Sequence, residues 1–182
     1  SPSLVIKTYD YLRQKLPGTG IVLGCCGDQT LALGDKARFQ EVLEGAVGMF
    51  KQLGTSEVIV ACPLCYKTFK ERAASHSLTF LSEVFLKVGL PEGIKANGQT
   101  RWEEGIQDSV RALIKEMGYE IEEMEYSREK TRCCGLGGMV PYGNQEFASK
   151  ITKKRTEEAS HDMVTYCASC RESFAPYKPA VH

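Results

Sequence analysis

Two adjacent cysteines followed by glycine occur twice in this chain, at Cys25-Cys26-Gly27 and Cys133-Cys134-Gly135. A Cys-x-x-Cys follows each, at Cys62-Pro63-Leu64-Cys65 and Cys167-Ala168-Ser169-Cys170. These four clusters hold all eight cysteines, with 35 residues between Cys26 and Cys62 and 32 between Cys134 and Cys167. One cysteine unit is written twice, so the fold must bring two distant thiol pairs together in each copy.

Disulfides are the poorer reading of these cysteines. Disulfide frameworks belong mostly to short secreted chains with dispersed cysteines, and 182 residues are enough to bury a core without staples. A trans peptide sets adjacent Cα atoms about 3.8 Å apart, below the roughly 4.4–6.8 Å that a disulfide spans. The expectation is a cytoplasmic metal protein. Lys plus Arg equals Asp plus Glu at 23 each, so there is no electrostatic footprint for nucleic acid. No apolar stretch approaches a membrane span, and no signal peptide is visible. The chain starts with Ser rather than Met, which reads as cutting or processing.

The pattern between the cysteines repeats as well. Val5, Tyr9, Leu12 and Leu16 predict a helix that Pro17-Gly18 stops. Gly20-Ile21-Val22-Leu23-Gly24 predicts a short buried strand ending at Cys25. Phe39, Val42, Leu43, Ala46, Val47 and Phe50 mark one face of a helix over 36–53, with Gly54 as its stop. Residues 57–61 predict a strand into Cys62, and Pro63 suits the first turn of a helix over 64–74. Another strand is expected over 78–81, with Ser82 capping a helix to Val88.

Residues 89–100 hold Pro91 and three glycines without periodicity, and are the expected boundary. They divide the chain into repeats at 1–92 and 93–182. Ile106, Val110, Leu113, Ile114 and Met117 predict the next helix, ended by Gly118. Residues 119–126 alternate apolar and acidic residues as a half-wet strand would. A helix is expected over 144–158, a strand over 162–166 into Cys167, and a helix from Arg171. Strands alternating with helices predict an α/β fold. Its two homologous repeats each carry a short parallel sheet flanked by helices, and approximate pseudo-two-fold symmetry relates them. Right-handed crossovers put the cysteine-bearing strand ends at one edge of each sheet, where ligands of such sheets collect.

Four thiolates at one point make a metal site. The candidate ligands are Cys25, Cys26, Cys62 and Cys65 for the first site, and Cys133, Cys134, Cys167 and Cys170 for the second. A Cys-x-x-Cys at a helix N-terminus meets free N–H groups that favour thiolate. Gly27, Gly135, Gly137 and Gly138 give the backbone room beside a bulky cofactor. An iron–sulfur cluster, a Cys₄ zinc and metal-free dithiol chemistry all accept this donor set. The vicinal pairs lean toward a cluster, because adjacent thiolates reach different irons more easily than they share one zinc.

The stretches Cys133-Cys134-Gly135-Leu136-Gly137-Gly138-Met139 and Met163-Val164-Thr165-Tyr166-Cys167-Ala168-Ser169-Cys170 make the resemblance specific. The doubled pattern resembles the cysteine-rich (CCG) domain of heterodisulfide reductase B/D-type subunits. That domain also occurs in the iron–sulfur subunits of glycolate oxidase, lactate utilisation proteins and anaerobic glycerol-3-phosphate dehydrogenase. The resemblance covers nearly the whole chain. It implies [4Fe-4S] clusters, electron transfer within an oxidoreductase, ferredoxin-like or flavin subunits as partners, and in some members cleavage of a disulfide substrate. Some relatives keep zinc in one repeat, and a zinc-stabilised assembly module is the alternative. The family pattern has a further cysteine upstream of each Cys-Cys; in the second repeat that place falls near Gly98, where this chain reads Asn97-Gly98-Gln99. The ferredoxin-like run of such proteins is also absent, so a fragment or a stand-alone subunit is expected.

The remaining features have bland readings. His76, His161 and His182 are dispersed and read as surface or strand-edge residues. Lys150, Lys153, Lys154 and Arg155 read as a solvated helix face, or more sharply as a docking surface for an acidic partner. Trp102 and Tyr142 read as packing or as the wall of a cleft. No Ser/His/Asp triad, phosphate loop or dinucleotide fingerprint is present.

Overall fold

A computed structural model describes residues 2–73, 75–90 and 104–181. Trp102, His182 and the Asn97-Gly98-Gln99 segment lie outside them, as does most of the expected boundary. The first half runs α1 (Pro2–Lys15), α2 (Asp28–Ala32), α3 (Lys36–Gln52), β1 (Glu57–Val60), α4 (Pro63–Arg72), β2 (Ser77–Phe80) and α5 (Leu81–Val88). The second runs α6 (Glu104–Glu116), α7 (Val140–Gly143), α8 (Gln145–Glu157), β3 (Met163–Val164), α9 (Ala168–Phe174) and β4 (Ala180–Val181). The fold is α/β and mostly helical. No helix is long and apolar enough to cross a membrane among the described residues.

Each half holds a parallel pair of strands. Val58 stands opposite Leu78 and Val60 opposite Phe80; Met163 stands opposite Ala180. In each half the first strand of the pair leads toward a Cys-x-x-Cys, and a helix follows. The long helices form where the sequence caps them and gives them an apolar face. Asp35 accepts a hydrogen bond from the Arg38 amide at 2.9 Å, and Asn144 accepts one from Phe147 at the same distance. Phe39, Leu43, Ala46 and Phe50 of α3 are buried against Val60 and Phe69. Each large apolar side chain of this kind contributes about 1.5–3 kcal/mol on burial.

The two halves share a core. Leu12, Val84, Phe85 and Leu113 form one buried cluster. Phe80 joins Ile106, Val110, Ile114 and Tyr166 in another.

Five expectations are corrected. Gly20–Gly24 is not a buried strand: its main chain has no hydrogen bond to another described residue, and Leu23 is 79% exposed. Glycines at both ends and only three apolar residues between them make a weak strand. Residues 119–126 form no strand either, because β3 is only two residues long and offers little to pair with. Ile121 and Met124 still turn inward. The strand expected over 162–166 is confined to β3. Ser82 does not cap α5. Phe80 holds that position, its amide bonded to the Glu83 carboxylate at 2.8 Å, while the Ser82 hydroxyl meets that of Ser109 at 2.6 Å. Arg155 is no surface cation: it is 2% exposed, paired with Glu158 at 2.6 Å and donating to the Tyr126 carbonyl at 2.8 Å. Breaking a buried pair of this kind costs roughly 3–5 kcal/mol.

His76 and His161 hold surface contacts, the first with Ser75 and the Phe50 ring and the second with Glu122. Tyr142 is 77% exposed and does not pack in the core.

Candidate thiol centres

Both Cys-x-x-Cys motifs are built the same way. Cys62 caps α4 with φ −102° and ψ 123°. Cys167 caps α9 with φ −114° and ψ 115°. The strand delivers an extended cysteine, and the helix starts at the next residue. The free amides of the first turn, from Leu64 and Cys65 in one site and Ser169 and Cys170 in the other, then face the first sulfur. The second cysteine lies inside the first turn, one step from both the first cysteine and the Cys-Cys pair.

The sulfurs are linked in a chain. In the first site Cys65 touches both Cys26 and Cys62. The Cys65 thiol holds its proton, pushed far up by its bonds to those two sulfurs and then by burial. Contact with Cys65 brings Cys26 down to about 6 and Cys62 down to about 7, against burial. The second site repeats the order. Cys170 is the pushed-up thiol between Cys134 and Cys167. Cys167 falls to about 6, through Cys170 first and the turn amides after. Cys134 lies well below the ordinary thiol range, held first by Cys133 and then by Cys170. In the second site Cys134 thus neighbours both Cys133 and Cys170, and Cys170 neighbours Cys167, whereas in the first site Cys65 neighbours Cys26 and Cys62. Cys25 is exposed, and its sulfur accepts from the Gly27 amide at 3.5 Å.

Among the described residues no three Cys, His, Asp or Glu groups are gathered as a ready coordination shell. Instead, Cys65 in one site and Cys170 in the other stands between two further cysteines. The eight cysteines are free thiols.

The glycines act differently from one another. Gly135 has φ +102°, and a Cβ there would lie 2.4 Å from the Thr152 hydroxyl and 2.8 Å from the Ala148 carbonyl of α8. Its room is taken by α8, which lets Thr152 bond the Cys134 carbonyl at 2.7 Å. At Gly137 a Cβ would lie 2.6 Å from the Cys133 sulfur. The amides of Gly135 and Gly137 donate to that sulfur at 3.3 and 3.2 Å. Gly138 stands in open space, and Gly27 lies against Val42.

Two site residues escape a reading based on cysteine alone. The Thr68 hydroxyl stands beside the Cys26 sulfur and donates to the Asp28 carboxylate at 3.4 Å. Ser173 stands beside Cys134 in the same manner, its hydroxyl donating to the Ser169 carbonyl at 2.9 Å. Each stands three residues after the last cysteine of its motif, on the same helix face as that cysteine. A hydroxyl at that offset in both repeats was the available signal.

The two sites adjoin. The negative sulfur of Cys167 opposes ionisation of Cys62, and α2 packs against the turn at Gly137–Met139.

Two vicinal-cysteine turns facing two helix-capping Cys-x-x-Cys motifs define a doubled thiol-site protein of the α/β class. The chain belongs to the cysteine-rich domain (CCG) family, whose model matches residues 21–70 and 98–175. It is 25% identical over 173 residues to an EtfAB:quinone oxidoreductase of Syntrophomonas wolfei, covering 80% of this chain and 24% of that protein. It is 26% identical over 152 residues to the probable iron-sulfur-binding oxidoreductase FadF of Bacillus subtilis, covering 73% and 21%. It is also 25% identical over 173 residues to a subunit of the dihydromethanophenazine:CoB–CoM heterodisulfide reductase of Methanosarcina mazei, covering 80% and 41%. The chain thus spans about a fifth to two fifths of these relatives. No solved structure matches it.

The donor set fits an iron–sulfur group. It supplies thiolates stabilised by neighbouring thiols, amides aimed at sulfur in the second site, and hydroxyls behind Cys26 and Cys134.

Proposed function

We propose that this chain is the paired-site part of an iron–sulfur electron-transfer subunit of an oxidoreductase. The observation that carries the reading is that both repeats set a vicinal-cysteine turn beside a Cys-x-x-Cys whose first cysteine caps a helix with nearly the same backbone angles. Cys25, Cys26, Cys62 and Cys65 would hold one [4Fe-4S]-type group, and Cys133, Cys134, Cys167 and Cys170 the other. Such a group supplies one-electron transfer when bound. The chain's own residues set its surroundings: helix-turn amides and the Thr68 and Ser173 hydroxyls stabilise negative sulfur, and burial of Cys26 and Cys134 keeps water from it.

The repeats are proposed to divide at 1–92 and 93–182 and to be related by a pseudo-two-fold axis. Support comes from matching cap angles, matching thiol order and matching hydroxyls at Thr68 and Ser173. Redox subunits of the kinds in the relatives' names are the proposed partners, and a disulfide is the proposed terminal substrate. A cytoplasmic place is proposed from the cysteine pattern, which is clustered as in metal sites rather than dispersed as in disulfide frameworks.

Anaerobic purification followed by iron and acid-labile sulfide analysis tests the reading. Iron and sulfide are expected in protein never exposed to air. Zinc without iron would overturn it and leave a zinc-stabilised assembly module.

A second expectation concerns Gly20–Gly24. This segment ends at the first Cys-Cys, and β1, which pairs only with β2 among the described residues, leads to Cys62. Drawing Cys25 into the ligand set pulls the segment toward the open edge of β1. Hydrogen exchange at residues 21–24 and along β1 should slow when metal-free protein is reconstituted with iron and sulfide. Unchanged exchange at both places would refute the closure.

A further inference from the structure

Helix α8 grips the second Cys-Cys turn at two points. Arg132 directly precedes Cys133. Its guanidinium pairs with one oxygen of the Glu158 carboxylate at 2.5 Å and lies 3.3 Å from the centre of the Tyr126 ring. The other Glu158 oxygen pairs with the buried Arg155 at 2.6 Å, and Arg155 donates to the Tyr126 carbonyl at 2.8 Å. Tyr126, Arg132, Glu158 and Arg155 thus close a loop of contacts, with Glu158 at the end of α8. Earlier on the same helix, Thr152 bonds the Cys134 carbonyl at 2.7 Å. The chain is therefore fixed just before the vicinal pair and again within it. Cys133 is held to match: its sulfur accepts from the Gly135 and Gly137 amides at 3.3 and 3.2 Å and touches Cys134.

Among the described residues the first repeat shows none of these holds on the chain. Gly24 stands directly before Cys25, with no side chain to clamp. The main chain of Gly20–Gly24 has no hydrogen bond to another described residue. Val42, which lies against Gly27 as Thr152 lies against Gly135, offers no hydroxyl to a carbonyl. Stability alone is a weak account of the clamp, because apolar side chains of similar volume often serve a buried ion pair's place as well. Its position directly behind the thiols is what asks for another.

We propose that Arg132, clamped by Glu158 and the Tyr126 ring, is the positioning residue that presets the Cys133-Cys134 turn, so that the second site fills before the first. The inference rests on the iron–sulfur reading of both sites. Arg132 acts through the main chain that it precedes. A preset site spends little of its binding free energy on ordering its ligands. The first site has that ordering still to do, because Cys25 and the unpaired Gly20–Gly24 segment must be drawn in when the group binds.

The test reconstitutes metal-free protein anaerobically with ferrous iron and sulfide at half of the saturating amount. Cysteines left open are then alkylated with iodoacetamide and located by mass spectrometry, each normalised to metal-free protein. In wild type, Cys133, Cys134, Cys167 and Cys170 are expected to be shielded about tenfold more than Cys25, Cys26, Cys62 and Cys65, within the range that outer partners of metal ligands produce. Arg132→Gln should abolish this preference while iron at saturation stays that of wild type. Arg132→Lys, which keeps the charge, should restore part of it. Arg38→Gln, which breaks an exposed pair on α3, should leave it unchanged.

Should Arg132→Gln fail to fold, Tyr126→Leu decides in its place. It removes the ring under Arg132, keeps the carbonyl that Arg155 uses, and should reduce the preference. Wild type that takes up neither iron nor sulfide at any amount sinks the iron–sulfur reading, and the loading order with it. Even filling of the two sites in wild type, or an unchanged preference in Arg132→Gln, overturns the clamp and leaves the iron–sulfur reading standing.

Discussion

Protein carrying Cys134→Ser is expected to purify with about half of the iron of wild type, the first site loaded and the second empty. Cys134 is the thiol on which the second site converges. It is 5% exposed, it touches Cys133 and Cys170, and the Leu136 amide and Ser173 stand beside it. Serine keeps the size but removes a soft, readily ionised sulfur. A buried alkoxide has no comparable route to charge, so the donor is lost outright. The first site has its own thiols on its own elements and should keep its iron. Cys25→Ser is the informative partner experiment. Cys25 is exposed and stands outside the bonded chain of Cys26, Cys65 and Cys62, so its loss should reduce iron less than loss of Cys134 does. Equal iron in wild type and Cys134→Ser would remove Cys134 from the ligand set.

Much of this arrangement was legible in the sequence, and the reasons are local. Val58, Ile59 and Val60 run straight toward Cys62 and Pro63, so strand, cap and helix start are all written within seven residues. Asp35 and Asn144 announce α3 and α8 by their capping chemistry. What failed depended on distant partners. The Gly20–Gly24 run has strand composition, but composition cannot say whether a neighbouring strand comes close enough to pair. Lys150, Lys153, Lys154 and Arg155 look alike in sequence, yet only Arg155 turns toward the Tyr126 carbonyl and Glu158. Arg132, just before the second Cys-Cys, pairs with the same Glu158 and lies 3.3 Å over the Tyr126 ring. Nothing in local spacing foretells that both arginines share one carboxylate behind the thiols. The convergence of Cys134 with Cys170 was expected because a repeat predicts its own contacts. Cys25 and Cys133 are both exposed, as their equivalence in the repeat suggests, but only Cys133 also touches its pair partner, Cys134, which the repeat could not foretell.

The second large effect is expected at a glycine and is measured without any metal. Gly135→Ala should lower the stability of metal-free protein by about 3 kcal/mol, from a left-handed alanine and the displaced Thr152 contacts together. Residue 135 has φ +102°, where an L side chain is strained before it touches anything. The new methyl would then meet the Thr152 hydroxyl at 2.4 Å and the Ala148 carbonyl at 2.8 Å. Thr152 cannot yield freely, because it is buried and bonds the carbonyls of both Cys134 and Ala148. The vicinal cysteine turn must therefore move away from α8. Gly118→Ala supplies the comparison. Gly118 has φ +79° with nothing around it, so only the backbone strain of about 1 kcal/mol is expected there. Urea unfolding midpoints of the two variants separate clash from strain. Adding Thr152→Ala to Gly135→Ala should recover part of the loss, since the two residues are in contact and their effects are not additive. Equal destabilisation by the Gly135 and Gly118 substitutions would mean that α8 does not press on the turn. The position of the Cys133-Cys134 pair would then need another support than the one described.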